Sequence, residues 1–217
     1  MYFKNRSVAG KELAEKLKDF RYENTAVVAL SDGAVIVGAE IAMSLHCVLT
    51  MLLTEAIKLP GENDALAVID QNGGFTYNSM FSTGQLEAFT SEYQSFIEQA
   101  KREKLHNLHE LLGSGGIISP ELLYGHNVIL VSDGLDSGVS LEAAMNYLKA
   151  IKTEKVIIAS VLASVRAVDK MHLLGDQIVC LSVIDNYMGT DHYYEDNSMP
   201  DHEKIVKTIE NIVVNWR

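Results

Sequence analysis

Apolar and polar positions along the chain fall into alternating long helical stripes and short continuous runs. From Ser7, read as a helix cap, Leu13, Leu17 and Phe20 recur at helical spacing with Lys and Glu on the other face, which predicts a helix over about 7–19. Ala26 to Leu30 (AVVAL) is a short apolar run of the kind a strand shows when both its faces are covered. It ends at Ser31-Asp32-Gly33 and leads into AVIVGAEIAMSL, long enough for a helix. Cys47 to Leu53 repeats the strand signal, and Ala65 to Asp70 and Phe75 to Asn78 flank Gln71-Asn72-Gly73-Gly74, a predicted hairpin. From about Gln85 to Leu112 a polar segment carries a partial stripe of Phe89, Tyr93, Phe96, Ile97, Ala100 and Leu108, and Gly113 to Gly116 ends it. Strands at Asn127 to Val131, Val156 to Leu162 and Gln177 to Val183 then alternate with helices at Val139 to Ala150 and Val165 to Leu174. Pro200 to Trp216 reads as a last helix, with Ile205, Ile209, Ile212, Val213 and Trp216 on its apolar side.

Alternating apolar strands and helices imply an α/β fold with a mostly parallel central sheet flanked by helices. There is no internal repeat or low-complexity linker, and 217 residues with 47% apolar side chains suit one domain spanning 1–217. No run of about 18 apolar residues occurs. The start MYFKNRSVAGKELAEK lacks the apolar stretch and cleavage site of a signal peptide, so a soluble cytoplasmic protein is expected. Cys47 and Cys180 each lie in apolar strand-like runs outside any CxxC pair and are read as buried reduced thiols. A net charge of -11 excludes a broad nucleic-acid or anionic-membrane surface, and it requires that a phosphate ligand be held by backbone donors or a metal.

The richest chemistry lies in VILVSDGLDSGVS, Val128 to Ser140. In an open parallel sheet, ligands sit beyond the carboxyl ends of strands, where the next helix points its amides outward. Ser137-Gly138-Val139-Ser140 falls there: glycine permits close approach to a phosphate, two hydroxyls add donors, and the helix end adds partial positive charge. Asp133 could bind sugar hydroxyls or orient a divalent metal, and Asp136 could accept a proton. The same residues also fit a strand-to-helix turn with Ser and Asp as ordinary caps.

An apolar strand, an acidic pair, two variable residues and a small-residue and hydroxyl run resemble the phosphoribosyl pyrophosphate (PRPP) loop of type I phosphoribosyltransferases. FKNRSVAGKELAEKL resembles the opening helix of a bacterial branch of that family, and VVALSDGAVIVGAEIA its strand, pyrophosphate loop and helix. LLTEAIKLPGENDALAVIDQNGG resembles the strand, flexible loop and hairpin that follow; GDQIVCL and DHYYEDNSMPDHEKIVKTIENI resemble the last core strand and closing segment. The resemblance implies a small hood built from the chain termini and about 60–80. It implies 5-phosphate binding by Ser137, Gly138, Val139 and Ser140, ribose and magnesium contact by Asp133 with Ser132 beside it, and Asp136 as base toward a nitrogen acceptor. The family reaction displaces pyrophosphate from the anomeric carbon, with Mg2+ on the leaving group. Members commonly form homodimers.

Three positions depart from that pattern. Ser132 replaces the first acid of the pair, Ser31-Asp32-Gly33-Ala34 replaces a basic residue before two glycines, and Glu55-Ala56 replaces a basic pair at the end of the next strand. A carboxylate at Asp32 repels the pyrophosphate that the family's cation binds, although the residue could instead cap the following helix. Lys58, Arg6 and Arg166 are the cations that could stand in. Two functions follow: PRPP-dependent transfer to a nitrogen acceptor, or a catalytically degenerate protein binding ribose 5-phosphate or a nucleotide. A scaffold for oligomerisation is a third. His192, Glu195, Asp196 and His202 fit no zinc spacing and read as a solvated acidic loop. His106 and His109 read as a surface helix face, and Tyr187 to Tyr194 as part of a lid.

Overall fold

The computed structural model describes residues 2–112 and 118–212. In chain order its elements are α1 (Arg6–Lys16), β1 (Thr25–Ala29), α2 (Asp32–Leu45), β2 (Val48–Met51), β3 (Thr54–Ile57), β4 (Ala67–Asp70), β5 (Phe75–Tyr77), α3 (Thr83–Glu92), α4 (Gln94–Leu112), β6 (Asn127–Ser132), α5 (Val139–Leu148), β7 (Lys155–Ser164), α6 (Val165–Leu174), β8 (Gln177–Ile184) and α7 (His202–Glu210). Five strands form a parallel sheet in the order β2-β1-β6-β7-β8.

Every residue of β1 and β6 is buried, because helices cover both faces of the sheet. Successive side chains divide between two cores. Val27, Ala29, Ile129 and Val131 pack with buried residues of α1, α2 and α7. Ala26, Val28, Val128 and Leu130 pack with those of α5 and α6. Each of the larger side chains stabilises the fold by about 1.5–3 kcal/mol, which is why the continuous apolar runs were legible as strands. The chain leaves β1 for β2 on one side and returns through β6 on the other, so the order reverses between β1 and β6. A crevice opens beyond the carboxyl ends of strands at such a reversal.

A second, antiparallel sheet has the order β3-β4-β5. The predicted hairpin is its β4–β5 half: Asp70 Oδ1 accepts from the amides of Asn72 (2.8 Å) and Gly74 (3.0 Å), with Gly73 at φ 83°. The strand β3 was not expected, because Leu52-Leu53 joins it to β2 in one apolar run. The long polar helix is two helices that break at Tyr93, so that Phe89 of α3, Tyr93 at the break and Ile97 of α4 pack on one small cluster with Leu59 and Leu66.

Two caps lie elsewhere than the sequence suggested. Asn5, not Ser7, caps α1, its Oδ1 accepting from the Val8 amide at 2.9 Å, and the Ser7 hydroxyl donates to Glu40 at 2.6 Å. Ser31, not Asp32, caps α2, accepting from the Ala34 amide at 3.0 Å while Asp32 lies in the first turn. The last helix stops at Glu210; Val213 and Trp216, like the helix-ending Gly113 to Gly116, lie outside the described residues. The two cysteines form no disulfide; Cys47 is buried, its thiol pushed up to about 12 by burial, and Cys180 is half-buried. Among the described residues no helix is long and apolar enough to cross a membrane.

Candidate functional site

At the reversal, the turn after β1 and the turn after β6 face one another across a cavity of about 400 Å³. Ser31, Asp32 and Gly33 line it from the first turn, Ser132 and Asp133 from the second, and Ser140 from the start of α5. The second turn is tied to the neighbouring strand: the Leu135 amide donates to Leu162 O (2.9 Å) and the Ser164 amide to Leu135 O (2.9 Å). Gly138 then opens α5 at φ 69°, a left-handed conformation that favours glycine.

An ionic network anchored by the buried Arg6–Asp133 pair lines this cavity. Asp133 Oδ2 accepts from Arg6 Nε at 2.7 Å, and its Oδ1 accepts from the Ser31 hydroxyl at 2.9 Å. Arg6 Nη2 lies 2.5 Å from Asp191 Oδ1, its Nη1 donates to Asn197 Oδ1 at 3.1 Å, and its guanidinium sits 4.6 Å from the centre of the Tyr194 ring. Burial works against the guanidinium charge, but Asp133 and Asp191 outweigh it and hold its pKa above the ordinary arginine value. Only glycine fits at position 33, since a Cβ there would collide with the Asp133 carboxylate and lie 2.7 Å from Arg6 Nε.

The other expected site residues are distributed unevenly. Ser132 lines the cavity, but its hydroxyl turns back on its own loop, donating to Gly134 O (3.0 Å) and accepting from the Gly134 amide (3.2 Å). Asp136 lines a second cavity of about 530 Å³, where its carboxylate pairs with Arg166 at 2.7 Å; Arg166 also holds Asp64 at 2.9 Å. Ser137, Gly138, Val139 and Ala34 line neither of these cavities. Of the three candidate cations, Arg6 alone lines the first cavity. Glu55 pairs with Lys104 of α4 at 3.2 Å.

Tyr187 to Tyr194 crosses the front of the loop. Tyr187 Oη and Thr190 Oγ1 lie 2.8 Å apart, where a side chain on Gly134 would reach, and the Tyr194 hydroxyl donates to Asp133 O at 2.7 Å. Burial pushes the Tyr187 phenol up to about 12 and the Tyr194 phenol higher, Asp133 adding to the second shift. Both phenols ionise more easily in the unfolded chain, at about pH 10. Their contribution to stability is therefore full below about pH 10 and falls as pH rises toward their folded values. Urea midpoints measured between about pH 9 and 11.5 are expected to fall steeply, and Tyr187→Phe to fall less.

The donor set does not fit a magnesium ion held by the protein. Arg6 pairs with both Asp133 and Asp191, Asp32 pairs with His202, and no group of three His, Cys, Asp or Glu able to hold a metal exists among the described residues. His192 instead bonds Tyr2 at 3.1 Å, and His106 lies 3.3 Å from Glu110 on the α4 surface. Thr190 and Asp191 lie in the segment expected to form a lid, but their particular contacts and the His202–Asp32 contact were not anticipated from the sequence.

Comparison with known proteins agrees with this geometry. The sequence profile of the phosphoribosyl transferase domain matches residues 4–197. A Mycobacterium tuberculosis protein with the provisional name of phosphoribosyl transferase is 24% identical over 206 residues, 94% of this chain and 45% of that protein, so the chain spans about half the length of the curated relatives it matches. A crystal structure from Thermus thermophilus superposes with a TM-score of 0.71 at 26% identity, covering 100% of this chain and 99% of the other. A Neisseria gonorrhoeae protein crystallised with ppGpp shares the fold, with a TM-score of 0.51 at 14% identity over 97% of this chain and 95% of that one. The chain belongs to the phosphoribosyl transferase domain family, and its parallel sheet with helices on both faces is the type I phosphoribosyltransferase fold.

Proposed function

We propose that this domain binds the ribose 5-phosphate moiety of a small ligand, ribose 5-phosphate itself or a nucleoside monophosphate, with its pyrophosphate subsite degenerate. The observation that carries this reading is the charge arrangement of the first cavity. The one cation lining it among the described residues, Arg6, is already engaged by Asp133 and Asp191, while Asp32 stands in the first turn of α2. In this reading the 5-phosphate lies against the start of α5, held by Ser140, which lines the cavity, and by the hydroxyl and amides of the adjoining Ser137, Gly138 and Val139, which lie outside its lining. Asp133 accepts from the ribose hydroxyls, because a carboxylate has about four acceptor sites and the network uses two. Residues 60–80 and the chain termini form the hood over it.

Asp136 favours a second reading. Its carboxylate opens onto the 530 Å³ cavity beside the loop, where an acceptor base would meet it, and Arg166 orients it at 2.7 Å. That arrangement supports phosphoribosyl transfer from PRPP with Asp136 as the base, and such transfer would need a pyrophosphate subsite.

Ser137→Ala removes one donor to a charged phosphate and is expected to weaken ribose 5-phosphate binding about tenfold, with Asp133→Asn weakening it at least as much. Calorimetry reads both. Unchanged affinity in the two variants would remove the site assignment.

A further inference from the structure

The helix α7 lies beyond the family match at residues 4–197, and its first residue reaches back to the first cavity's rim. His202 Nδ1 is 3.1 Å from both carboxylate oxygens of Asp32. The imidazole is 13% exposed, and its Nε2 is buried without a partner among the described residues. A carboxylate only accepts, so Nδ1 carries the hydrogen. The pair therefore has two charge states: with a neutral imidazole it carries one negative charge, and with an imidazolium it carries none.

We infer that His202 determines which phosphate ligand the cavity admits. With the imidazole neutral, Asp32 excludes a pyrophosphate from the first turn of α2, and ribose 5-phosphate is the better ligand. With the imidazolium, the pair is neutral and the pyrophosphate of PRPP can lie over the helix end. In the imidazolium Nε2 also carries a hydrogen, and a phosphoryl oxygen is the kind of acceptor that this buried nitrogen then lacks. The inference rests on the ribose-phosphate reading above and assigns His202 as its specificity residue.

The surrounding charges leave this role to the imidazole. Arg6 on α1 is engaged by Asp133 and Asp191, and Lys204 on α7 pairs with Asp201 at 3.0 Å. Glu203 follows His202 in the same turn, and Glu195 and Asp196 precede the helix. Imidazoles are the side chains that ordinarily change charge between about pH 5 and 8. The other imidazole near the cavity, His192, is bonded to Tyr2.

The test is metal-free calorimetry of ribose 5-phosphate and PRPP at about pH 6 and about pH 8.5, on the wild type, His202→Gln and Asp32→Asn. Glutamine can still donate to Asp32 but does not titrate. The ligands' own phosphates titrate near pH 6, and this contribution is the same for every protein compared. In the wild type, the preference for PRPP over ribose 5-phosphate is expected to rise about tenfold or more at the lower pH. His202→Gln is expected to lose that rise, and Asp32→Asn to favour PRPP at both pH values. The inference is overturned if ribose 5-phosphate binds while the wild-type preference moves with pH no more than that of His202→Gln. Absence of ribose 5-phosphate binding at both pH values would instead strike the underlying reading and remove this inference with it.

Discussion

Arg6→Met is expected to destabilise the fold by about 3–5 kcal/mol, the cost of leaving one partner of a buried ion pair uncompensated. The guanidinium and the Asp133 carboxylate are 6% and 9% exposed, so water cannot replace the missing charge. Among the described residues Asp133 would keep only the Ser31 hydroxyl at 2.9 Å as a side-chain donor. Against a typical total stability of about 5–15 kcal/mol, that loss is large. Arg6→Met combined with Asp133→Asn is expected to recover most of it, because the penalty arises from the unpaired charge and not from the packing of the side chains. Urea unfolding of the two single variants and the double variant measures the coupling. A cost below about 1 kcal/mol for Arg6→Met would mean that the pair is solvated like a surface salt bridge.

The second large effect concerns ligand choice. PRPP is expected to bind about fivefold or more weakly than ribose 5-phosphate at about pH 8, where an intact charged subsite would instead add about 1.5–3 kcal/mol per contact, tenfold or more each. By the family resemblance the pyrophosphate extends toward the first turn of α2. The helix end offers about 0.3–1 kcal/mol to an anion. Asp32 opposes it: two like charges ~6 Å apart at an effective dielectric of ~20 repel by roughly 2–3 kcal/mol. Repulsion exceeds the helix contribution, so the added phosphates gain nothing. Arg6 cannot reverse the sign without abandoning Asp133 and Asp191.

The parallel sheet was legible because burial on both faces leaves little choice of side chain. The run Gln177 to Val183 and the stripe Val165 to Leu174 correspond to β8 and α6 within one residue. Boundaries were legible only where backbone punctuation is unambiguous. At both α1 and α2 two polar residues near the start compete for the cap, and the extended backbone of Asn5 and Ser31 decides between them. The break at Tyr93 has no glycine or proline to announce it; tertiary packing on the small cluster imposes it. Local chemistry alone left the loop from Ser132 to Ser140 open between a phosphate cradle and a capped turn. Its electrostatics could not be read locally, since Arg6 is 127 residues from Asp133 and His202 is 170 from Asp32. Neither pairing has a local signature, because each is made by chain ends folding back over the sheet.

The most direct test is calorimetric titration of the intact protein with ribose 5-phosphate and with PRPP at about pH 8, each with and without magnesium. PRPP is expected to bind about fivefold or more weakly than ribose 5-phosphate, and magnesium to change neither affinity. PRPP binding about a hundredfold more tightly than ribose 5-phosphate, and only with the metal, would contradict a degenerate subsite and establish a working one. Binding of neither ligand would contradict the ribose-phosphate reading from the other side, leaving the loop after β6 as a turn between a strand and a helix.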